Sequence, residues 1–94
     1  MTENPDEFFK RLHEELLQTS SWPSEYLFKF IVKSDLAKIN AVKDNFDNIG
    51  AVIKTNPSKN GNYTSVSVNV IMTNPDQIIQ KYKDVSHIEG IISL

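Results

Sequence analysis

The chain has 94 residues, 39% of them hydrophobic, enough for one domain around a single core. Its net charge of -2 gives no global attraction to nucleic acid or anionic lipid, and Arg11 is the one arginine among ten basic residues, which leaves little bidentate phosphate recognition. With no cysteine, the chain has no means to form disulfides, thiolate nucleophiles, iron–sulfur clusters or cysteine-type zinc sites.

The acidic opening Met-Thr-Glu-Asn-Pro-Asp-Glu-Phe-Phe has no apolar core of the secretory kind, and no apolar run approaches the roughly 20 residues of a spanning helix. A soluble, cytoplasmic protein is expected. Asn4-Pro5-Asp6-Glu7 reads as a helix start, with Asn as N-cap, Pro at the first helical position and acids in the first turn. Phe8, Phe9, Leu12, Leu16 and Leu17 come next at helical spacing. Gln18-Thr19-Ser20-Ser21 breaks that pattern, and Trp22-Pro23 favours an extended entry into the next segment. We therefore divide the chain into an N-terminal helix and linker, residues 1–21, and a domain over residues 22–94.

Residues 25–33 alternate as a strand, with Tyr26, Phe28, Phe30 and Val32 on one face and Leu27, Lys29, Ile31 and Lys33 on the other. Ser34 is positioned to cap a helix carrying Leu36, Ile39, Val42 and Phe46 inward, ending near Asn48-Ile49-Gly50. A second strand is predicted over 51–55 and a third over 63–72. Treating Asn60-Gly61 as a two-residue type I′ turn pairs Thr55 with Val66, Ile53 with Val68 and Ala51 with Val70, all on the core side. Pro57 lacks a donor and suits an edge strand. Asn74-Pro75-Asp76-Gln77 repeats the earlier helix start and opens a helix with Ile78, Ile79 and Tyr82 inward; a last strand is predicted over 88–94. The predicted order is a helix and then β-α-β-β-α-β. That is an α+β, ferredoxin-like sandwich: a four-stranded antiparallel sheet in the order 4-1-3-2, two helices on one face, and an extra N-terminal helix.

The run Ser58-Lys59-Asn60-Gly61-Asn62-Tyr63-Thr64-Ser65-Val66-Ser67-Val68 resembles the Ser-Lys-Gly-Asn/Lys-Tyr-x-Ser-Val-x-Val signature of the YbeD-like family, small bacterial proteins with a domain of unknown function. Phe28-Lys29-Phe30 and Ile91-Ile92-Ser93-Leu94 are similar to that family as well, and the likeness covers roughly residues 22–94. An extra N-terminal helix and an extra Asn60 in the turn depart from its pattern. The resemblance implies a ferredoxin-like fold akin to ACT-type regulatory domains, with no established activity and no catalytic residues to carry over. ACT-like domains usually bind effectors at a glycine after the first strand; here the junction is Val32-Lys33-Ser34-Asp35, so that manner of amino-acid sensing is not expected.

No pattern of catalytic or metal-ligating residues stands out. His13 and His87 are the only histidines; His87 and Glu89 share a strand face on the predicted elements, and two ligands make no site. Glu14 and Glu15 are adjacent on a helix and diverge, which denies them paired acid–base work. Ser65 and Ser67 have no adjacent histidine base, although Lys54 is expected across from Ser67. No enzyme, metal or cofactor is expected.

The sheet face away from the two core helices is the candidate binding surface, with Lys29, Lys54, Tyr63, Ser65, Ser67 and Asn69 on it beside Leu27, Ile31, Val52, Ile71 and Ile91. Small residues admit a close approach, and aliphatic ones reward docking at about 25 cal/mol per Å² buried. Phe8, Phe9, Leu12 and Leu16 form an interaction helix that either folds over this same sheet or recruits and gates a partner. The expectation is a regulatory or adaptor domain working through a protein partner or a second copy of itself. RNA binding on the same face is the alternative, disfavoured because base stacking needs aromatics that the central strands do not offer there; small-molecule sensing at a subunit interface is another. The acidic N-terminal segment disfavours a membrane surface.

Overall fold

A computed structural model describes residues 4–94, the Pro5 side chain excepted, so residues 1–3 of the expected N-terminal segment lie outside the described residues. Seven elements succeed one another: α1 (Pro5–Thr19), β1 (Ser24–Lys33), α2 (Leu36–Asp44), β2 (Val52–Pro57), β3 (Tyr63–Met72), α3 (Pro75–Val85) and β4 (Ile92–Ser93). Both Asn-Pro-Asp starts open helices as expected. Asn4 Oδ1 accepts from the Glu7 N–H at 2.8 Å, and Asn74 Oδ1 accepts from the Gln77 N–H at 3.0 Å. At α3 the Gln77 side chain reaches back past the cap to accept from the Thr73 N–H at 3.0 Å.

The α2 cap differs from expectation. Asp35, not Ser34, is the N-cap and accepts from the Ala37 N–H at 2.9 Å, while the Ser34 hydroxyl bonds the buried Thr64 hydroxyl at 2.8 Å. Leu36 then falls in the first turn and is 75% exposed, off the contact that Ile39, Val42 and Phe46 make with the sheet.

The four strands form one antiparallel sheet in the order β2-β3-β1-β4. Along the centre Tyr26 pairs with Val70, Phe28 with Val68 and Phe30 with Val66; the β2–β3 hairpin pairs Ile53 with Val68 and Thr55 with Val66, the register expected. Its turn is of another kind. Type I′ needs left-handed backbone at both central residues, yet only Gly61 has it (φ 78), and the Gly61 N–H donates to the Ser58 carbonyl at 2.9 Å. Asn60 contributes through its side chain, whose Oδ1 accepts from the Ser58 hydroxyl and the Asn62 N–H.

The last strand is shorter than expected, because the chain keeps turning after α3. The Ile88 N–H donates to the Val85 carbonyl and the Ile91 N–H to the Ile88 carbonyl, and Gly90 takes a φ of 75. Ile88 is buried from within this turn rather than from a strand. His87 and Glu89 therefore share no strand face, and Ile91 packs on the core while Ile92, paired with Ile31, takes the open side.

The core lies between the sheet and the helices α2 and α3. Phe28 is its centre: its ring stands 5.0 Å from Phe46 and 5.2 Å from Tyr82. Lys81 of α3 donates to the Asn45 carbonyl just past α2 and stands 5.4 Å over the Phe46 ring, tying the two helices together. The helix α1 does not fold over the sheet. It lies against α3, where His13 Nε2 meets Asp76 Oδ1 at 3.0 Å and Lys83 Nζ stands 5.5 Å over the Phe9 ring. The Trp22 indole donates to the Leu16 carbonyl at 3.2 Å and anchors the end of α1 on the core side. Ile79 belongs to this contact rather than to the sheet core: with Phe9, His13 and Lys83 it lines a cleft of about 360 Å³ between the two helices.

Candidate functional site

With α1 on α3, one face of the sheet is left without a layer above it among the described residues. Strand alternation decides what it carries. From β1 come Glu25, Leu27, Lys29, Ile31 and Lys33, and across the register from them on β3 stand Ile71, Asn69, Ser67, Ser65 and Tyr63. The edge strand β2 adds Val52 opposite Asn69, Lys54 opposite Ser67 and Asn56 opposite Ser65.

The face has three zones. Near the start of β1, Leu27 (58% exposed), Val52 (59%) and Ile71 (69%) surround Asn69 and Glu25 as an apolar patch. Across the middle, Lys29 and Lys54 flank the half-buried Ser67 from opposite sides. Beyond it, Ile31 stands between Ser65 and Ile92, and Lys33 pairs with Tyr63 at the hairpin end. Ser65 is tied down, its hydroxyl donating to the Asn56 carbonyl at 3.3 Å. All six candidate residues, Lys29, Lys54, Tyr63, Ser65, Ser67 and Asn69, lie on this one surface. Of the four candidate helix residues, Phe9, Leu12 and Leu16 turn toward the body of the molecule and Phe8 is 48% exposed. They do not meet the candidate surface.

The face carries lysine, hydroxyl and amide groups beside aliphatic side chains. Neither histidine is on the face: His13 is paired with Asp76 in the helix layer, and His87 sits in the turn after α3. The described residues include no group of three or more His, Cys, Asp or Glu that could hold a metal ion, and no helix among them is long and apolar enough to cross a membrane. Among the described residues, the one strongly perturbed side chain is in the core. Burial first, and then the 2.8 Å bond between the Tyr26 and Tyr82 hydroxyls, hold the Tyr82 phenol far above the ordinary tyrosine range, so it stays neutral. The pair closes a ring cluster with Phe28 and is structural.

Two features of this region escape a reading of the sequence. Alternation over a long last strand puts Ile92 on the core side, and the apolar groove between α1 and the outer edge of β1 has no local signal, since it depends on where α1 docks.

The molecule is thus an α+β domain of a four-stranded antiparallel open sheet and three helices, with one sheet face uncovered. The model of the family "Protein of unknown function (DUF493)", the YbeD family, matches residues 18–94, and the chain belongs to that family. The match leaves most of α1 outside. A search of curated proteins and one of solved structures each found no match.

Proposed function

We propose that this is a ferredoxin-like, non-enzymatic regulatory or adaptor domain whose open sheet face docks a protein partner. The fold reading is supported by the strand order, which from the other edge reads β4-β1-β3-β2, the sequence 4-1-3-2 of a split βαβ sandwich. The functional reading is carried by one observation: the chain's own amphipathic helix packs on α3 and leaves Leu27, Val52 and Ile71 each more than half exposed on one contiguous surface.

Charge argues for the kind of partner. The face bears Lys29, Lys33 and Lys54 against Glu25 in a chain whose net charge is -2. Across a two-fold axis near Ser67, Lys29 and Lys54 would approach their own copies, which disfavours a second chain stacked face to face. A partner with carboxylates set between aliphatic side chains is complementary. The central strands place Ser65, Ser67 and Asn69 where stacked bases would need rings, and Tyr63 is at the hairpin end, so nucleic acid is the weaker fit. A cytoplasmic setting suits such a role.

The test compares the tagged full chain with two face variants, Ser65→Glu/Ser67→Glu and Lys29→Glu/Lys54→Glu, in capture from nuclease-treated native extract at two salt concentrations. Support is a stoichiometric protein lost with both variants and weakened by salt. Capture that neither variant alters would overturn the proposal, as would binding of RNA oligonucleotides at low salt that both variants abolish.

A further inference from the structure

The outer edge of β1 is only partly occupied. β3 pairs with β1 from Ser24 to Lys33, whereas β4 pairs with it only at Phe30 and Ile31. One further bond, from the Leu94 N–H to the Lys29 carbonyl at 2.9 Å, carries that side to Lys29. Backbone groups alternate sides along an antiparallel strand. Since Lys29 bonds toward β4, and Ser34 bonds toward the β3 side through the Asn62 carbonyl, Leu27 and Glu25 also direct their peptide groups to the β4 side. No strand among the described residues pairs them there. Among the described residues, the Glu25 carbonyl takes only its neighbour's hydroxyl, Ser24 Oγ at 3.4 Å.

Below this edge, on the core side, is a groove of about 310 Å³. Phe8, Phe9 and Leu12 of α1 form one wall, and Tyr26, Tyr82 and Ser93 are on the other side. Backbone donors and acceptors that no described strand takes, above a mainly apolar trough, select their occupant. A helix satisfies its own peptide groups and gains nothing from the edge; an extended chain supplies the missing partners and sends every second side chain downward.

We propose that the β1 edge at Glu25–Leu27 is a strand-docking site for an extended segment of a partner protein with apolar side chains at alternate positions. The segment lies beside β1 past the end of β4, pairs its backbone with Leu27 and Glu25, and inserts an apolar side chain between Tyr26 and α1. A second copy's β1 is the poorer occupant. The side chain it would offer is Tyr26, which is held by the 2.8 Å bond to Tyr82 and by ring contact with Phe28. The site uses the backbone of Glu25 and Leu27, whose side chains stand on the open face, and the groove beneath; Ser65→Glu/Ser67→Glu strikes the face alone and Leu12→Trp the groove alone, so the two readings can fail independently.

A displayed library of random linear peptides is selected on the full chain, and synthetic copies of the enriched peptides are then measured for affinity and for amide hydrogen exchange by NMR. The expected peptides alternate apolar and polar residues and slow exchange at the Glu25 and Leu27 amides. Leu27→Pro removes an N–H that no strand uses, which an open edge tolerates, and weakens binding by about tenfold. Leu27→Ala keeps the N–H and leaves affinity within about twofold, and Ser65→Glu/Ser67→Glu leaves it unchanged. Should Leu27→Pro not fold, Leu12→Trp blocks the groove from α1 and reports the same loss. No enrichment, no slowing at Glu25 and Leu27, or full affinity in Leu27→Pro and Leu12→Trp each overturns the proposal.

Discussion

The two faces of this sheet use the same strands and differ in almost everything else. Phe28 and Leu27 are neighbours on β1, yet Phe28 is fully buried and Leu27 is 58% exposed. On β3, Val66 and Val68 are fully buried while the Ser67 between them lies between two lysines. What separates the faces is the third layer: α2 and α3 cover one side, and α1, which has an apolar stripe of its own, adds to the helix layer instead of covering the other. Strand alternation therefore marks a side that builds the domain and a side that the helices leave open.

Truncating both neighbours puts this contrast under the greatest load. Phe28→Ala empties the centre of the ring cluster and should cost about 3–5 kcal/mol, a large part of the stability of a domain this size. Leu27→Ala removes a mostly exposed side chain and should stay within about 0.5 kcal/mol. Urea denaturation of the two variants checks both; equal losses would mean that the open face is covered in solution.

Helix caps come next in size. Asn74→Ala removes the N-cap of a helix that covers the core and should cost about 1 kcal/mol. Asn4→Ala removes the equivalent bond on α1, which rests on α3 and touches no strand extensively, and should cost less of the global stability. Thermal melts of the pair measure how tightly α1 is coupled to the domain.

The strands and caps are legible because each is a local signal: period-two alternation over 63–72, and an Asn-Pro-Asp start used twice. The hairpin register comes out of alternation and turn length together, even though the turn is not the type expected. Asn-Gly marks a turn, but the side chains of Ser58 and Asn60 decide which one. Ser34 and Asp35 are both good caps one residue apart, and the choice rests on Thr64, thirty positions away, taking the Ser34 hydroxyl. Ile88 looks like the first residue of a strand because burial and strand propensity read alike over a short apolar run; the turn through Gly90 separates them. The destination of α1 is the least legible feature. An apolar stripe states that a surface will be covered without stating which one. Alternation is therefore enough to assign the candidate face, but not to reveal the open β1 edge or the groove beneath it.

A loss of about the same size as the Asn74 cap tests the interior side from its half-buried tyrosine pair. Tyr82→Phe leaves the Tyr26 hydroxyl without its partner and should cost roughly 1 kcal/mol near pH 7. Its pH dependence is more informative. The Tyr82 phenol titrates far above its ordinary value of about 10, so the folded state holds that proton when the unfolded chain releases it. The stabilisation is fully present below about pH 10 and is lost as pH climbs from there toward the folded-state value. In Tyr82→Phe this alkaline loss is removed, so urea midpoints of the two proteins should converge above about pH 10. Parallel curves up to about pH 11 would show that burial does not hold the Tyr82 proton, and the contrast between the two faces would not hold at that end of the core.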